Sequence, residues 1–513
     1  MKKGMLVLLL GLFLPLFVQG EYQVIPKFQK VAPMPGIFKL DKDSRVVVNA
    51  TNYPTLKQDL TIFKADLERL TGMKLNIVVG ANPQAGDLVF ALDAHEKELG
   101  KEGYKLTVSK TVYVTANTVQ GAFYAMQSLL QLLKENQTIQ QGEIIDFPRS
   151  DDRGFMIDLG RRYFEVEYIE ALIRKLAWMK VNFIHLHFTE WNAFRLQSDV
   201  YPGLAAEQSY SKQDIRRIQD YAAKYHIMVI PEIDLPAHAT AITEYNPDLG
   251  FKCPSMRASS WENGTGAPEE DKAWTLDISR PEVRAWIKAL LDEWIPLFDG
   301  PYFHIGGDEY QYDKSKNACE YLVKAAKEKG YKYPGDIFVD FVNEVNEQVK
   351  SYGKTTMLWN WWRFCYAEDK QNKTSIQPSK DIVIDSWVSR KSSFRRPEIL
   401  ADGYKIIVTG DIMEHATYLY VVPGTEKEWF SQKLVYEQWE LKDHAGINGY
   451  ELCLWCNDKA IDVKEDDWFD VYLDLPIAIF AERTWSSQRD ASLEKFKERF
   501  KQVGYPSEEK SFQ

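Results

Sequence analysis

The sequence predicts an α/β protein, a (β/α)8 TIM barrel preceded by a small α+β domain. The chain has 513 residues, which is too long for one small domain and suits a barrel with an accessory domain. From residue 149 to 513, short apolar segments alternate with helix-like segments, as repeated strand–helix units require. Between residues 21 and 148 the two kinds of segment are mixed without that alternation. We therefore place the small domain at 21–148 and the barrel at 149–513.

The first twenty residues resemble an export signal. Lys2 and Lys3 precede an apolar run from Leu6 to Val18, and Gly20 offers a small residue for cleavage. The run is too short to span a bilayer comfortably. We expect a signal peptide over 1–20 and a mature chain that is periplasmic or extracellular and not inserted in a membrane. Five cysteines, an odd number, leave at least one without a partner in the chain.

The segment from 21 to 148 carries the pattern of a small mixed domain. Apolar residues recur at helical spacing from Thr55 to Thr71 and from Val119 to Leu133. Short strand-like runs start at Ser44, Asp87, Tyr104 and Thr111. The segment holds no cluster of reactive side chains, so we expect it to support the barrel rather than to carry chemistry.

Eight strands and at least four helices are predicted after residue 148. The strands are Gly154 to Leu159, Phe183 to Phe188, Met228 to Asp234, Tyr302 to Asp308, Thr356 to Asn360, Ile382 to Trp387, Lys405 to Thr409 and Gly449 to Trp455. The helices are Glu167 to Lys180, Lys212 to Tyr225, Pro281 to Leu297 and Asp336 to Ser351, and a proline such as Pro281 is well placed to begin a helix.

The carboxyl ends of these strands carry polar and aromatic residues. Barrel enzymes place their active sites at that end. The residues at or just after the strand ends are Asp158, Arg161, His187, Glu190, Asp234, His238, Asp308, Glu309, Trp359, Trp387, Tyr418 and Trp455. A barrel built only for stability would not need polar groups at so many strand ends, so this convergence predicts an active site.

The fourth predicted strand ends in two glycines and two adjacent acids, Asp308 and Glu309. Neighbouring side chains at a strand end normally point to opposite faces. Gly306 and Gly307 permit backbone angles that could turn both acids toward one cavity. Two close carboxylates favour a protonated general acid beside an ionised partner. The plainer alternative is an acidic helix start, where such residues are common.

Charge and aromatic content narrow the classes of ligand. A net charge of −11 argues against nucleic acid and anionic membrane surfaces as partners. The 15 Trp and 27 Tyr residues offer rings on which apolar sugar faces could stack, although such residues also fill cores. Taken alone, the aromatic content favours a glycan partner only slightly, and the oligomeric state is left open.

Taken together, the motifs resemble those of the β-N-acetylhexosaminidases of glycoside hydrolase family 20. The segments that carry the resemblance are Met156-Ile-Asp-Leu-Gly-Arg-Arg, His185-Leu-His-Phe-Thr-Glu, Pro231-Glu-Ile-Asp-Leu-Pro-Ala-His, His304-Ile-Gly-Gly-Asp-Glu and Ala481-Glu-Arg-Thr-Trp-Ser. The segment from Glu102 to Val108, with the helix that follows, resembles the family's non-catalytic N-terminal domain. The resemblance implies release of a terminal β-linked N-acetylhexosamine with retention, by attack of the substrate's own 2-acetamido oxygen and without a cofactor.

The resemblance also implies roles for individual residues. Glu309 would be the general acid and then the base, Asp308 would orient the acetamido N–H, and Tyr418 would donate to the acetamido oxygen. Trp359, Trp387 and Trp455 would wall the acetamide and sugar face, and Arg161 would hold the O3 and O4 hydroxyls. His238, Asp234 and His304 would support the acids from behind, together with Glu190, which we also place among the substrate-binding residues.

The chain departs from the family's pattern near the sugar's O4 and O6. Tyr420 stands where the family usually has an aspartate, and Asn457 where it usually has a glutamate. The familiar Asp-Asp-Gln after the second strand is Glu190-Trp191-Asn192 here. We expect Tyr420 and Asn457 to contact the sugar. Their neutrality leaves open a pocket that accepts 6-O-sulfated N-acetylglucosamine.

Three other functions compete with an exo-hexosaminidase. His185, His187, His238 and Asp308 could suit a metal-dependent hydrolase, although no histidine ends the fifth or sixth strand, and we expect no metal. A non-catalytic glycan-binding protein would be expected to have lost one of the acids. A lacto-N-biosidase-like enzyme releasing a disaccharide would use the same chemistry with more room beyond O3.

Overall fold

The structure is a computed structural model that describes residues 22–93, 95–253, 256, 273–310, 319–360, 374–387, 395–410, 418–425, 428–457 and 460–506. The predicted export signal lies outside these residues. No helix within the described ranges is long and apolar enough to cross a membrane.

The amino-terminal part is built on one mixed seven-stranded sheet. Its strands are β1 (Lys30–Lys39), β2 (Arg45–Val48), β3 (Asn76–Val79), β4 (Leu88–Leu92), β5 (Tyr104–Val108), β6 (Val112–Ala116) and β7 (Thr138–Asp146), and its helices are α1 (Tyr53–Thr71) and α2 (Val119–Leu133). The strand order is β1-β7-β5-β6-β4-β2-β3. Pairing is parallel from β6 to β3 and antiparallel from β6 to β1.

The helix α2 is buried on almost all sides because it lies between this sheet and the barrel. Thr118 caps its first turn by accepting a hydrogen bond from the Gly121 N–H at 3.2 Å. On the barrel side, the Gln131 side-chain amide donates to the Trp178 carbonyl at 3.0 Å. An apolar helix with this position ties the small domain to the barrel through its core.

The rest of the chain forms a closed eight-stranded parallel barrel. Its strands are β8 (Asp152–Asp158), β9 (Phe183–His187), β10 (Met228–Glu232), β11 (Tyr302–His304), β12 (Thr355–Trp359), β13 (Val383–Ser386), β14 (Lys405–Val408) and β16 (Ile447–Leu454). They pair in chain order, and β16 closes the ring by pairing with both β14 and β8. The predicted fold class is therefore confirmed.

Helices connect most of these strands. The connecting helices are α3 (Val166–Trp178), α4 (Lys212–Lys224), α5 (Thr240–Tyr245), α6 (Pro281–Trp294), α7 (Glu320–Glu328), α8 (Asp336–Ser351), α9 (Arg396–Ala401) and α10 (Gln432–Glu437). Two more helices, α11 (Asp470–Trp485) and α12 (Leu493–Val503), follow the last strand. As expected, Pro281 begins α6. A capping box between Ser211 and Asp214 begins α4, where each side chain accepts from the other residue's backbone N–H.

Some elements escaped the sequence prediction. The edge strand β1 contains Pro33 and Pro35 and is mostly exposed, so its sequence shows no alternation of apolar and polar residues. It exists because β7 pairs with it across an irregular register. The two-residue strand β15 (Tyr420–Val421) likewise forms only because β16 lies beside it.

Candidate active site

The acid pair stands on a backbone turn that only a glycine-rich sequence can make. After β11, the φ angles are +69° at Gly306, +96° at Gly307 and +45° at Glu309. A Cβ on Gly306 would lie 1.8 Å from Asp234 Oδ1, and the Gly307 N–H donates to that same oxygen at 3.0 Å. The glycines therefore provide the turn, as the sequence suggested, and they also allow the close approach of the segment after β10.

Gly306→Ala tests this turn. The added methyl group would collide with the Asp234 carboxylate and would force an unfavourable φ, so the acids should move apart. We expect turnover to fall at least about 100-fold, because displacement of reacting groups by about 1 Å is that costly. Gly353→Ala is the matched control, with φ +73° and no neighbour within 4 Å of its Cβ. Equal turnover in both variants would contradict the assignment.

Both carboxylates converge on one imidazole nitrogen. Asp308 Oδ2 and Glu309 Oε2 each lie 3.5 Å from His238 Nε2. Burial and the nearby Asp308 raise the pKa of Glu309, although His238 opposes the shift. Glu309 thus retains a proton to a higher pH than an ordinary glutamate, as a general acid requires.

His238 is fixed from behind by two groups. Its Nδ1 lies 3.0 Å from Glu190 Oε2, and its ring packs against Trp274 at 4.5 Å. The indole of Trp274 in turn donates to the Glu309 carbonyl at 3.2 Å. Burial lowers the pKa of His238, but Glu190 and Asp308 outweigh burial and raise it well above its usual value. The imidazole is therefore a cation shared among carboxylates.

Asp234 completes the support of the acid pair. It is fully buried, and both burial and the charge of Asp308 raise its pKa well above the ordinary value for aspartate. Through its hydrogen bond with the Gly307 N–H it fixes the turn that carries the acids. Asp234 lies where the sequence placed it, beside Asp308 and His238.

Arg161 is held rigidly at the edge of the site. Its guanidinium lies 2.9 Å from Asp158 Oδ2 and 2.5 Å from Glu190 Oε1, and it stacks over the Trp455 ring at 5.3 Å. A cation with two carboxylate partners remains charged and keeps its forked donors in one orientation.

Aromatic rings form a second wall. Trp359, Trp387, Tyr418, Tyr420, Trp429 and Trp455 belong to one cluster beside β16. Ring centroids are 5.2 Å apart for Tyr418 and Tyr420, and 6.2 Å apart for Trp359 and Trp455. Tyr418 also packs edge-on against Trp429 at 5.4 Å. Flat apolar surfaces of this kind suit the face of a sugar or an acetamide methyl group.

Several buried polar atoms at the site have no hydrogen-bond partner within the described part of the chain. They include Asp308 Oδ1, the Trp455 indole nitrogen and Asn457 Oδ1. Buried polar atoms are normally satisfied, and exceptions mark places where water or a ligand binds. The site thus combines hydrogen-bond acceptors, a hydrogen-bond donor and aromatic faces. This combination suits a ligand that carries N–H and O–H groups on an apolar ring.

Three predicted residues occupy supporting positions. Glu190 is fully buried between Arg161 and His238, so it would act on a ligand through them. His304 Nδ1 accepts from the Gly306 N–H at 3.0 Å and thereby supports the turn. Tyr420 is buried with its hydroxyl near Thr409, which leaves its ring as the group beside Trp455.

Sequence reasoning missed Glu232, Trp274 and Trp429 as parts of this site. Glu232 is a fully buried glutamate at the end of β10, and its inward position follows from strand alternation relative to Ile233. That alternation was the available signal. Nothing in the sequence places Trp274 or Trp429, which lie outside the strands and helices, next to the acids or the tyrosine.

Among the described residues, four groups of three side chains lie close enough to hold a metal ion. They are His185, Glu232 and His304; His185, Asp385 and Glu451; His187, Glu232 and Asp234; and Asp234, His238 and Asp308. Each group contains a direct imidazole–carboxylate contact. The imidazoles in these groups are therefore already paired with carboxylates, which is the arrangement of an ion-pair network.

A disulfide joins two loops at this end of the barrel. Cys253, in the loop after β10, is bonded to Cys319 at the start of α7. Cys453 and Cys456 are buried free thiols. The fifth cysteine, Cys365, lies outside the described residues.

Two family models match the chain. Residues 152–488 match "Glycosyl hydrolase family 20, catalytic domain", and residues 21–147 match "Glycosyl hydrolase family 20, domain 2". A beta-hexosaminidase of Porphyromonas gingivalis is 30% identical over 362 residues, which are 66% of this chain and 45% of that protein. A lacto-N-biosidase of Bifidobacterium bifidum is 26% identical over 495 residues, which are 92% of this chain and 40% of that protein. The chain thus spans less than half the length of these two relatives.

A solved structure shares the fold. The beta-N-acetylhexosaminidase of Bacteroides fragilis superimposes with a TM-score of 0.73 at 22% identity, covering 94% of this chain and 96% of that one. At this identity the likeness concerns the fold, with the small domain and the barrel both included.

Proposed function

Because the chain belongs to glycosyl hydrolase family 20, we propose that it is a retaining exo-β-N-acetylhexosaminidase. It would release terminal β-linked N-acetylglucosamine or N-acetylgalactosamine from glycans. The observation that carries the proposal is the convergence of Asp308 and Glu309 on His238, with the pKa of Glu309 raised.

The proposed first step breaks the glycosidic bond. The substrate's acetamido oxygen attacks the anomeric carbon, and Glu309 gives its proton to the departing glycosidic oxygen. Asp308 accepts the acetamido N–H and balances the positive charge of the oxazolinium ion. Tyr418 donates to the acetamido oxygen and aligns it. A nucleophile held in place within the substrate has a large effective molarity, so the protein need not supply one.

The second step hydrolyses the intermediate. Glu309, now ionised, removes a proton from water, whose oxygen attacks the anomeric carbon and reopens the ring. Two inversions at that carbon give net retention. Trp359, Trp387 and Trp455 would enclose the acetamide and sugar face, while Arg161 would bind the O3 and O4 hydroxyls. The fixed Arg161 favours an exo pocket, and detection of a released disaccharide would instead support a lacto-N-biosidase activity.

The neutral residues at Tyr420 and Asn457 favour tolerance of a 6-O-sulfate. A carboxylate at ~5 Å from the sulfate would cost on the order of 3 kcal/mol at an effective dielectric near 20. Within the described part of the site, Asp158 and Glu190 are both paired with Arg161, which offsets their charge. The pocket would therefore admit an anion that the family's usual acids would repel.

A comparison of two aryl substrates tests both proposals. We expect hydrolysis of an aryl N-acetyl-β-glucosaminide, and of its 6-O-sulfated counterpart at a rate within about tenfold. Asn457→Asp should reduce turnover of the sulfated substrate about 100-fold and leave the neutral substrate little changed, since only the former meets a new like charge. Equal effects on both substrates would remove the sulfate proposal. Loss of all activity on exhaustive chelation would favour a metal-dependent hydrolase.

We also propose that the protein is exported. The leader-like first twenty residues and the Cys253–Cys319 disulfide support this, because disulfides persist in oxidising compartments. Fractionation of cells that express the full chain would test it.

A further inference from the structure

We propose that Glu232 is a positioning residue of the reaction, which controls the acid pair and the aromatic wall through other side chains. The inference rests on the proposed function. Glu232 ends β10 and is fully buried beneath the site. Among the described residues, it contacts Trp359 of the aromatic wall directly and reaches the acid pair only through His187, Glu190 and His238.

Four side chains from three neighbouring strands surround this carboxylate. One oxygen, Oε2, contacts His187 Nδ1 and lies 3.1 Å from His185 Nε2. The other, Oε1, accepts a hydrogen bond from the Trp359 indole at 2.7 Å and lies 3.2 Å from His304 Nδ1. A single carboxylate thus joins β9, β11 and β12 at the end of the barrel that carries the site.

One route from this carboxylate leads to the acids. His187 Nε2 lies 3.4 Å from Glu190 Oε1, and Glu190 Oε2 lies 3.0 Å from His238 Nδ1. His238 Nε2 then lies 3.5 Å from Asp308 and from Glu309. Carboxylates and imidazoles alternate along the whole route, and all but the two acids at its end are at least nine-tenths buried.

The other route leads to the aromatic wall. The indole that Glu232 holds is that of Trp359, which is 1% exposed and lies 6.2 Å from the Trp455 ring. On the same side, His304 accepts from the Gly306 N–H, at the turn that carries the acids. Glu232 therefore orients the wall through a hydrogen bond, and it lies against the imidazole that supports the turn.

The charges along the first route alternate as well. Burial opposes ionisation of Glu232, but His187 and His304 outweigh it and hold its pKa well below the usual value. Glu232 in turn raises the pKa of His187 well above its usual value. The other titratable groups that face this carboxylate are Asp234 on its own strand, His185 on β9, Asp385 on β13, and Glu451 and Cys453 on β16.

Two substitutions that each remove one charge should act in opposite directions. Glu232→Gln removes a negative charge, which weakens proton binding by Glu309. Glu309 in this variant therefore loses its proton at a lower pH than in the unmodified chain. His187→Gln removes a positive charge and has the reverse effect. We expect the basic limb of the kcat/KM profile to move down by about half to one pH unit in the first variant and up by a similar amount in the second.

Glu451→Gln is the matched control. Glu451 is equally buried and contacts the far nitrogen of His185, Nδ1, at 3.1 Å. The substitution Glu451→Gln removes the same charge farther along the network. It should therefore move the basic limb of the kcat/KM profile by less than half as much as Glu232→Gln does. The proposal would be overturned by pH profiles that coincide, by shifts of the same sign in Glu232→Gln and His187→Gln, or by a larger shift in Glu451→Gln than in Glu232→Gln. Structural damage alone would not shift the basic limb in opposite directions.

A second measurement needs no turnover. The chain has eight histidines, so the ring resonances of isotopically labelled His238 can be titrated by NMR. Its pKa should fall in Glu232→Gln and rise in His187→Gln; unchanged values in both would overturn the proposal. Failure of the unmodified chain to hydrolyse any N-acetylhexosaminide would sink the proposed function while leaving this titration decisive. If Glu232→Gln does not fold, the rise in His187→Gln decides alone.

Discussion

Glu309→Gln should reduce kcat/KM for an unactivated glycan by about 10²- to 10⁴-fold, the usual contribution of a positioned general acid. Glutamine fills the same space beside His238 but carries no transferable proton. The loss should be much smaller for an aryl glycoside with a strongly acidic phenol, because that leaving group departs without protonation. Kinetics on the two substrate classes, with circular dichroism to confirm folding, measure this difference.

Asp308→Asn is the matched comparison on the adjacent residue. Asp308 would act on the acetamido nucleophile and not on the leaving group. Its loss should therefore reduce kcat/KM by similar factors for both substrate classes. The two assignments would be reversed if the loss of kcat/KM depended on the leaving group in Asp308→Asn, or did not depend on it in Glu309→Gln. Undiminished turnover of the glycan by Glu309→Gln would reject the general-acid role altogether.

The strands of the barrel were predictable because each is a short apolar run bounded by turn residues. Every predicted barrel strand matches an observed one to within a few residues, from β8 (Asp152–Asp158) to β16 (Ile447–Leu454). Such runs are buried on both faces, so the signal is continuous hydrophobicity. The edge strand β1 (Lys30–Lys39) lacks that signal because one neighbour and solvent, not a core, surround it. Its pairing is a tertiary effect.

The acid pair could be predicted from local sequence, but its supporting network could not. Gly306 and Gly307 indicate an unusual backbone conformation next to the acids, and their observed positive φ angles match that expectation. Strand alternation predicts that Glu232 points inward, but no local signal predicts which residues it contacts. Its role depends on contacts with His187, His304 and Trp359. These residues lie between 45 and 127 positions away in the sequence and contact Glu232 only in the folded barrel.

Lys180→Met should lower the free energy of unfolding by about 3–5 kcal/mol, as expected when one member of a buried ion pair is removed. Lys180 is 1% exposed at the junction between the small domain and the barrel. Its ammonium lies 2.8 Å from both Asp146 Oδ2 and the Tyr104 hydroxyl, and 4.4 Å from the Trp485 ring. Methionine preserves the packing but leaves Asp146 as a buried charge without its cation. Urea denaturation followed by tryptophan fluorescence measures the loss.

Two further variants separate charge from packing at this junction. Lys495→Met breaks an exposed pair with Glu498 and should leave the free energy of unfolding almost unchanged, because solvent screens such pairs. Adding Asp146→Asn to Lys180→Met removes the orphaned charge, while Tyr104 and Trp485 retain a hydrogen-bonding partner. The double variant should therefore be more stable than Lys180→Met alone, since the cost lies in the unpaired charge. If the second substitution instead adds to the loss, the pair contributes by its hydrogen bonds, and the junction is held by directional contacts instead of charge balance.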